Sequence, residues 1–141
     1  EGLEADDVLG ILATTPDPYY DFEKIIVSID KDMNQIPTNV SEDGVTFKSI
    51  SKKDADYFFM VQTLTGDSVD GYTGLPSVGP KSAEKILGDP DKPIEELWKL
   101  VLKAYEDKGF TKDEAIQQAR VARILRKGEY NRKTKKVKLW Q

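Results

Sequence analysis

The chain has 141 residues, room for one domain or for one domain with an appended lobe, and its 38% hydrophobic and 33% charged shares suit a globular protein with a heavily charged surface. It contains no cysteine and no histidine, which excludes disulfides, thiolate-bound zinc and imidazole catalysis. Any chemistry must therefore rest on carboxylates, lysines, hydroxyls or a hard metal.

The formal net charge of −4 is unevenly spread. Residues 1–70 carry 15 acids against 5 lysines, residues 71–119 carry 9 acids against 7 bases, and residues 120–141 carry 9 bases against Glu129 alone. An acidic half beside a basic tail fits a metal centre next to a polyanion track, and equally fits a solvated surface with a loose tail. No apolar run approaches a membrane span of about 20 residues and no signal peptide is visible, so the reading expects an intracellular, cytoplasmic protein with no membrane partner.

In chain order, Glu4–Ala13 reads as a helix with Val8, Ile11 and Leu12 on one stripe, ended by Pro16 and Pro18. Lys24–Ile29 is a β-branched run, predicted as a largely buried strand, with a short helical turn over Lys31–Gln35. After a loop over Asn39–Gly44, Val45–Ile50 alternates as a second strand, and Lys52–Leu64 reads as a helix. Glycines and a proline punctuate Thr65–Gly79. A helix then starts at Pro80, well placed at a first helical position, and runs to about Leu87. Pro93–Lys108 is amphipathic. Thr111 with Glu114 spells a capping box for a last helix, predicted to run to about Arg126 and to stop at Gly128. Val137–Trp140 is expected to return as a strand. Two strands cannot form a sheet covered by helices on both faces, so the pattern, with a first residue that is not methionine, suggests further sequence upstream.

Three groups of acids stand out: Glu4, Asp6 and Asp7 at the first helix start, Asp30 and Asp32 after the first strand, and Asp67 and Asp70 after the Lys52–Leu64 helix. Each has an ordinary structural explanation in helix capping, dipole complementation or a turn. Asp30 and Asp32, however, lie past the carboxyl end of a strand, where open α/β sheets place ligands. Carboxylates gathered in one place need compensating cations, and without His or Cys the natural occupants are magnesium or manganese. Two such ions about 4 Å apart would clamp a phosphodiester displacement.

The segment from Gly74 to Ala83 reads as a phosphate-binding hairpin. Gly74, Ser77 and Gly79 belong to a tight turn whose N–H groups can approach an anion. The helix from Pro80 presents its positive end to the same anion, beside Lys81 and Ser82, and Lys85 lies one turn on. Leu75, Val78, Ala83 and Ile86 are expected to pack beneath it. A plain helix–turn–helix corner is the other reading. The glycines, the proline at the first helical position and the following lysine agree on phosphate binding, which reads backbone and not bases.

These segments resemble the 5′–3′ exonuclease (flap endonuclease) family, which includes phage exonucleases and the 5′-nuclease domain of bacterial DNA polymerase I. Gly2-Leu3-Glu4-Ala5-Asp6-Asp7 looks like its acidic helix start, and Ser28-Ile29-Asp30-Lys31-Asp32 like its strand-end acidic pair. Thr65 to Gly71 with Gly79 to Ala83 resembles its helix–three-turn–helix segment, and Ala119 to Leu125 and Lys138-Leu139-Trp140 look like phage members. The resemblance implies an α/β, mostly helical fold: the C-terminal part of a PIN-like 5′-nuclease domain. Residues 1–64 would be half of the nuclease core, 65–127 the DNA-binding lobe and 128–141 a basic segment.

It further implies that Glu4, Asp6 and Asp7 serve a first metal ion, and that Asp30, Asp32 and Asp67 hold a second with Asp70 accessory. A potassium ion would lie near Ser68–Tyr72. Gly74, Ser77, Gly79, Lys81, Ser82, Lys85, Arg120 and Arg123 would meet DNA, or RNA in hybrids, and Arg126 and Lys127 would extend the basic face. Family members begin with a further Asp-bearing strand and a basic helical arch, absent here, so this chain alone is expected to cleave DNA poorly and to need that missing N-terminal half. A non-catalytic DNA-binding module and a structural domain whose acids merely cap helices are the competing readings.

Overall fold

The computed structural model describes residues 2–141, whose contacts group into two compact units. Unit 1 comprises residues 1–55 and 124–139, and unit 2 comprises residues 56–123 with 140–141.

Unit 1 opens with α1 (Ala5–Thr14), whose first turn carries Asp6 and Asp7 where negative charge offsets the helix dipole. The Thr14 and Thr15 hydroxyls turn back onto the carbonyls of Gly10 and Ile11, at 2.7 and 2.6 Å, and close the helix before Pro16. Next come β1 (Ile25–Val27), a 3-10 turn over Lys31–Gln35, β2 (Asn39–Ser41) and β3 (Lys48–Ser49). The sheet order is β1-β2-β3, with β1 and β2 parallel, Ile26 opposite Val40, and β2 and β3 antiparallel. Ile26, Met33, Ile36, Val40, Ile50, Ala55 and Ile124 form its core.

The sheet departs from the sequence expectation in two places. The Lys24–Ile29 run is not largely buried: Ile26 points inward while Ile25 and Val27 are 43% and 62% exposed, an alternation its unbroken apolar sequence conceals. The central strand is Asn39–Ser41, expected as loop, and only Lys48–Ser49 of the expected Val45–Ile50 strand is paired. Asp43 explains the shortening. Its carboxylate accepts the N–H groups of Val45 and Thr46, each at 2.8 Å, and folds that stretch into a turn. Those two bonds, then the Thr46 and Ser41 hydroxyls, hold its carboxyl far below the usual carboxylate range.

Unit 2 is helical. It holds most of α2 (Lys52–Thr65), then α3 (Pro80–Leu87), α4 (Ile94–Asp107) and α5 (Lys112–Ala122). Phe59, Met60, Leu64, Leu75, Leu87, Leu97, Val101, Tyr105, Ala115 and Ala119 pack between them. The Tyr105 hydroxyl, held protonated by burial, donates to the Thr63 carbonyl at 2.7 Å. The capping box at Thr111 is formed in both directions, with Glu114 N–H on the threonine hydroxyl and the Glu114 carboxylate accepting from Thr111 N–H, a bond that holds that carboxyl below its ordinary range. Thr111→Ala is expected to destabilise the chain by about 1 kcal/mol in urea unfolding, and an unchanged midpoint would remove the cap from the account.

The last helix ends at Ala122, about four residues before the expected stop at Arg126. Residues beyond it have better partners than a helix offers. Ile124 N–H donates to the Gln35 amide oxygen at 3.2 Å, Leu125 N–H to the Asp7 carboxylate at 3.0 Å, and Lys127 N–H to the Thr14 hydroxyl at 2.7 Å. Arg126 is buried, and its guanidinium donates to the Gln35 carbonyl at 2.9 Å. The basic residues Arg120, Arg123, Arg126 and Lys127 are therefore not one helical face. The terminal segment pairs β4 (Tyr130–Asn131) with β5 (Lys136–Val137), so the strand expected over Val137–Trp140 begins earlier and stops at Val137.

Candidate metal and phosphate site

Each acidic group occupies a defined place. Glu4 is exposed at the N-cap of α1 and makes no side-chain cap bond; Asp6 and Asp7 are half-buried in its first turn. Asp7 also binds Leu125 N–H, a structural duty that the sequence did not suggest. Just beyond β1, the exposed Asp30 caps the 3-10 turn by accepting Asp32 N–H at 2.9 Å, while Asp32 is buried. In unit 1, therefore, the Asp30 carboxylate is engaged in a local cap, as the ordinary structural explanation anticipated, and both acids follow closely on β1.

In unit 2 the Thr65–Gly79 segment builds a closed loop at the end of α2. Asp67 and Tyr72 exchange both backbone hydrogen bonds, at 2.9 and 3.0 Å, and the Asp67 carboxylate accepts Val69 N–H at 2.9 Å. This folds residues 67–72 into a tight hairpin. Asp67 is buried and Asp70 exposed, yet they present carboxylate oxygens within 4.8 Å of each other. Two negative groups that close repel unless a cation lies between them or one is protonated, and an all-oxygen donor set suits a hard divalent ion.

The base of the hairpin is set by two glycines. Gly66 and Gly74 both have positive φ, +69° and +61°, and a Cβ on Gly74 would come within 2.3 Å of the Gly66 nitrogen. Gly74 is buried, and its N–H donates to the Gln118 amide oxygen at 2.8 Å, so this glycine serves closure of the loop and its amide is already engaged. Sequence reasoning missed Gln118, because nothing in its neighbourhood on α5 marks it as a loop anchor.

Leu75, Val78 and Ala83 are buried and Ile86 packs against the same core, as expected. Their burial leaves Pro76, Ser77, Gly79, Lys81, Ser82 and Lys85 on the surface. Ser77 adopts φ +63°, uncommon outside glycine, and Gly79 caps α3 with Pro80 at its first position. The first turn of α3 thus opens to solvent with lysines and hydroxyls around it, an arrangement suited to a phosphate.

Of the two arginines, Arg120 is exposed, with Nε donating to the Trp140 carbonyl at 2.8 Å. Arg123 is half-buried, its guanidinium carbon 4.9 Å from the Phe59 ring centre and 5.7 Å from that of Trp140. In the sequence, Trp140 figures as the end of an expected strand and as part of a terminal likeness, not as a partner of Arg123.

The chain is 33% identical to an exodeoxyribonuclease of Enterobacteria phage T3 over 168 aligned residues, covering 98% of this chain and 55% of that one. It is 31% identical to an exonuclease of Escherichia phage T7, covering 99% and 56% respectively. The chain belongs to the 5′–3′ exonuclease family. A 5′–3′ exonuclease of Buchnera aphidicola is 37% identical over 101 residues, 61% of this chain and 33% of that protein. The chain spans about half the length of the phage relatives. No protein-family model matches the chain. No solved structure matches it. The mixed helix-and-sheet architecture fits an α/β nuclease fold. No helix among the described residues is long and apolar enough to cross a membrane.

Proposed function

We propose that this chain is part of a divalent-metal-dependent 5′–3′ exonuclease or flap endonuclease that hydrolyses DNA phosphodiester bonds. The observation that carries the reading is the Asp67–Asp70 carboxylate pair, folded into the same loop that leads to the open first turn of α3. Glu4, Asp6, Asp7, Asp30 and Asp32 would join that pair in serving magnesium or manganese, an assignment supported by the motif likeness and by the oxygen-only donor set. When bound, such ions supply Lewis acidity toward the phosphodiester.

The chain's own residues bind and orient. Gly79, Lys81 and Ser82 at the start of α3 would hold one backbone phosphate, and Lys85, one turn along, would add charge on the same side. The loop over Ser68–Tyr72 would take potassium beside that phosphate. The segment over residues 65–127 would act as the helix–three-turn–helix lobe of a PIN-like nuclease, accepting DNA and RNA–DNA hybrids. The phage relatives' names support a DNA substrate, and the surface lysines support recognition by charge.

Lys81→Ala tests this reading. Its affinity for short duplexes of unrelated sequence is expected to fall by a similar factor for each, with the slope of log affinity against log salt reduced by about 1. A loss confined to one sequence, or an unchanged salt slope, would contradict phosphate recognition at α3. Binding unaltered by chelator at every salt concentration, with no added metal effect on any substrate, would instead favour a module that grips DNA without cutting it.

A further inference from the structure

The geometry around the chain terminus points to Trp140 as a positioning residue: its clamped ring fixes its own backbone carbonyl where Arg120 Nε donates, so that Arg120 faces a DNA phosphate ready-oriented. The inference rests on the proposed reading that Arg120 meets DNA.

Three side chains of unit 2 hold the indole. Phe59 and Trp98 meet it edge-on, with ring centres 5.1 and 5.6 Å away and interplanar angles of 79° and 90°. Arg123 lies over both the Phe59 and Trp140 rings. Its charge is engaged with aromatic faces, the arrangement in which a guanidinium acts as a packing element. A ring clamped on these sides leaves the backbone of residue 140 little freedom. The carbonyl it carries accepts the Arg120 Nε bond at 2.8 Å.

That bond uses one donor of a planar fork. Arg120 is exposed in the last turn of α5, and among the described residues only its Nε is engaged. A guanidinium tethered through Nε keeps its two terminal amino groups as a pair, the geometry that grips phosphate in a bidentate manner. An untethered arginine would have to be ordered at the moment of binding. The tether removes part of that cost, and Trp140 is the residue that sets it. Arg123 and Arg120 thus have different duties despite their spacing: one anchors the terminus, and the terminus orients the other.

The test is a double-mutant cycle on the 141-residue chain, reading affinity for a short duplex with a single-stranded 5′ arm in EDTA. Trp140→Ala and Trp140→Leu are each expected to weaken binding by about fivefold, the scale of ordering one long side chain. On an Arg120→Ala background the same changes should cost less than about twofold. Trp140→Phe, which keeps a ring between Phe59 and Arg123, should stay within about twofold of the parent. The Leu variant retains apolar volume and carries the test if the Ala variant fails to fold by circular dichroism. Equal losses with and without Arg120 would make Trp140 merely structural and overturn the inference. If Arg120→Ala leaves affinity and salt slope unchanged, the reading of Arg120 as a DNA contact falls, and the inference with it. If Arg120→Ala weakens binding while the Ala and Leu variants at 140 do not, the positioning role alone is lost.

Discussion

Asp67→Asn is expected to lower the chain's affinity for manganese by about tenfold or more while leaving its fold in place. The amide oxygen of asparagine can still accept the Val69 N–H that the carboxylate accepts at 2.9 Å, so the loop keeps its local turn. The backbone pairing between Asp67 and Tyr72 does not involve the side chain at all. What the substitution removes is a negative charge that approaches the Asp70 carboxylate within 4.8 Å. Without a cation, that proximity is repulsive, and the substitution relieves it in the apo protein. With manganese, the parent should be stabilised by binding, and the variant less so at the same ion concentration. Electron paramagnetic resonance titration reads the affinity, and a melt with and without the ion reads the linkage. An Asp67→Asn variant that binds manganese as tightly as the parent would remove Asp67 from the metal site, and a parent that binds none would remove the metal from this chain.

Gly74→Ala should have the largest effect on stability. Its φ of +61° disfavours any side chain, and its added Cβ would lie 2.3 Å from the Gly66 nitrogen and 2.6 Å from the Leu64 carbonyl oxygen. These neighbours are backbone at the end of α2 and cannot step aside as a flexible side chain would. The loop would have to open, breaking the Gly74 N–H bond to Gln118 and the Leu75 N–H bond to Leu64. A loss of about 3 kcal/mol or more follows from combined strain and lost bonds, which for a chain of this size is roughly a 10 °C fall in melting temperature. Gly71→Ala is the informative control: it shares a positive φ of +78° but has nothing within 4 Å of its added Cβ, so it should cost clearly less. Equal costs would mean that close approach contributes nothing at Gly74.

Elements fixed by neighbouring residues were legible in the sequence. The start of α3 follows from Gly79-Pro80, and the start of α5 from Thr111 and Glu114, because proline at a first turn and a reciprocal cap act over a few residues. The hairpin core of Leu75, Val78 and Ala83 was legible for the same reason. Features decided by distant partners were not. α5 ends at Ala122 because Gln35 and Asp7, 89 and 118 residues away from the amides they bind, take the next free donors. Asn39–Ser41 is a central strand because β1 and β3 flank it, and its short polar sequence carries no signal of that. At the site, the acids and the α3 lysines could be listed from the sequence. The use of the Gly74 amide by Gln118 and of Arg123 by two aromatic rings could not, since both depend on helix packing.

The clasp between α1 and residues 124–127 has a consequence for how the protein is made. On a ribosome, the first helix emerges long before the segment whose amides it must satisfy, and Gly10 of that helix seats directly on the Leu125 carbonyl, with no space for even a methyl group. Residues 56–123 of the helical unit are continuous in sequence and can begin to condense as they are made; the sheet-bearing unit must wait for residues 124–139. A polypeptide stalled before residue 124 would therefore hold α1 with the amides it satisfies still unmade.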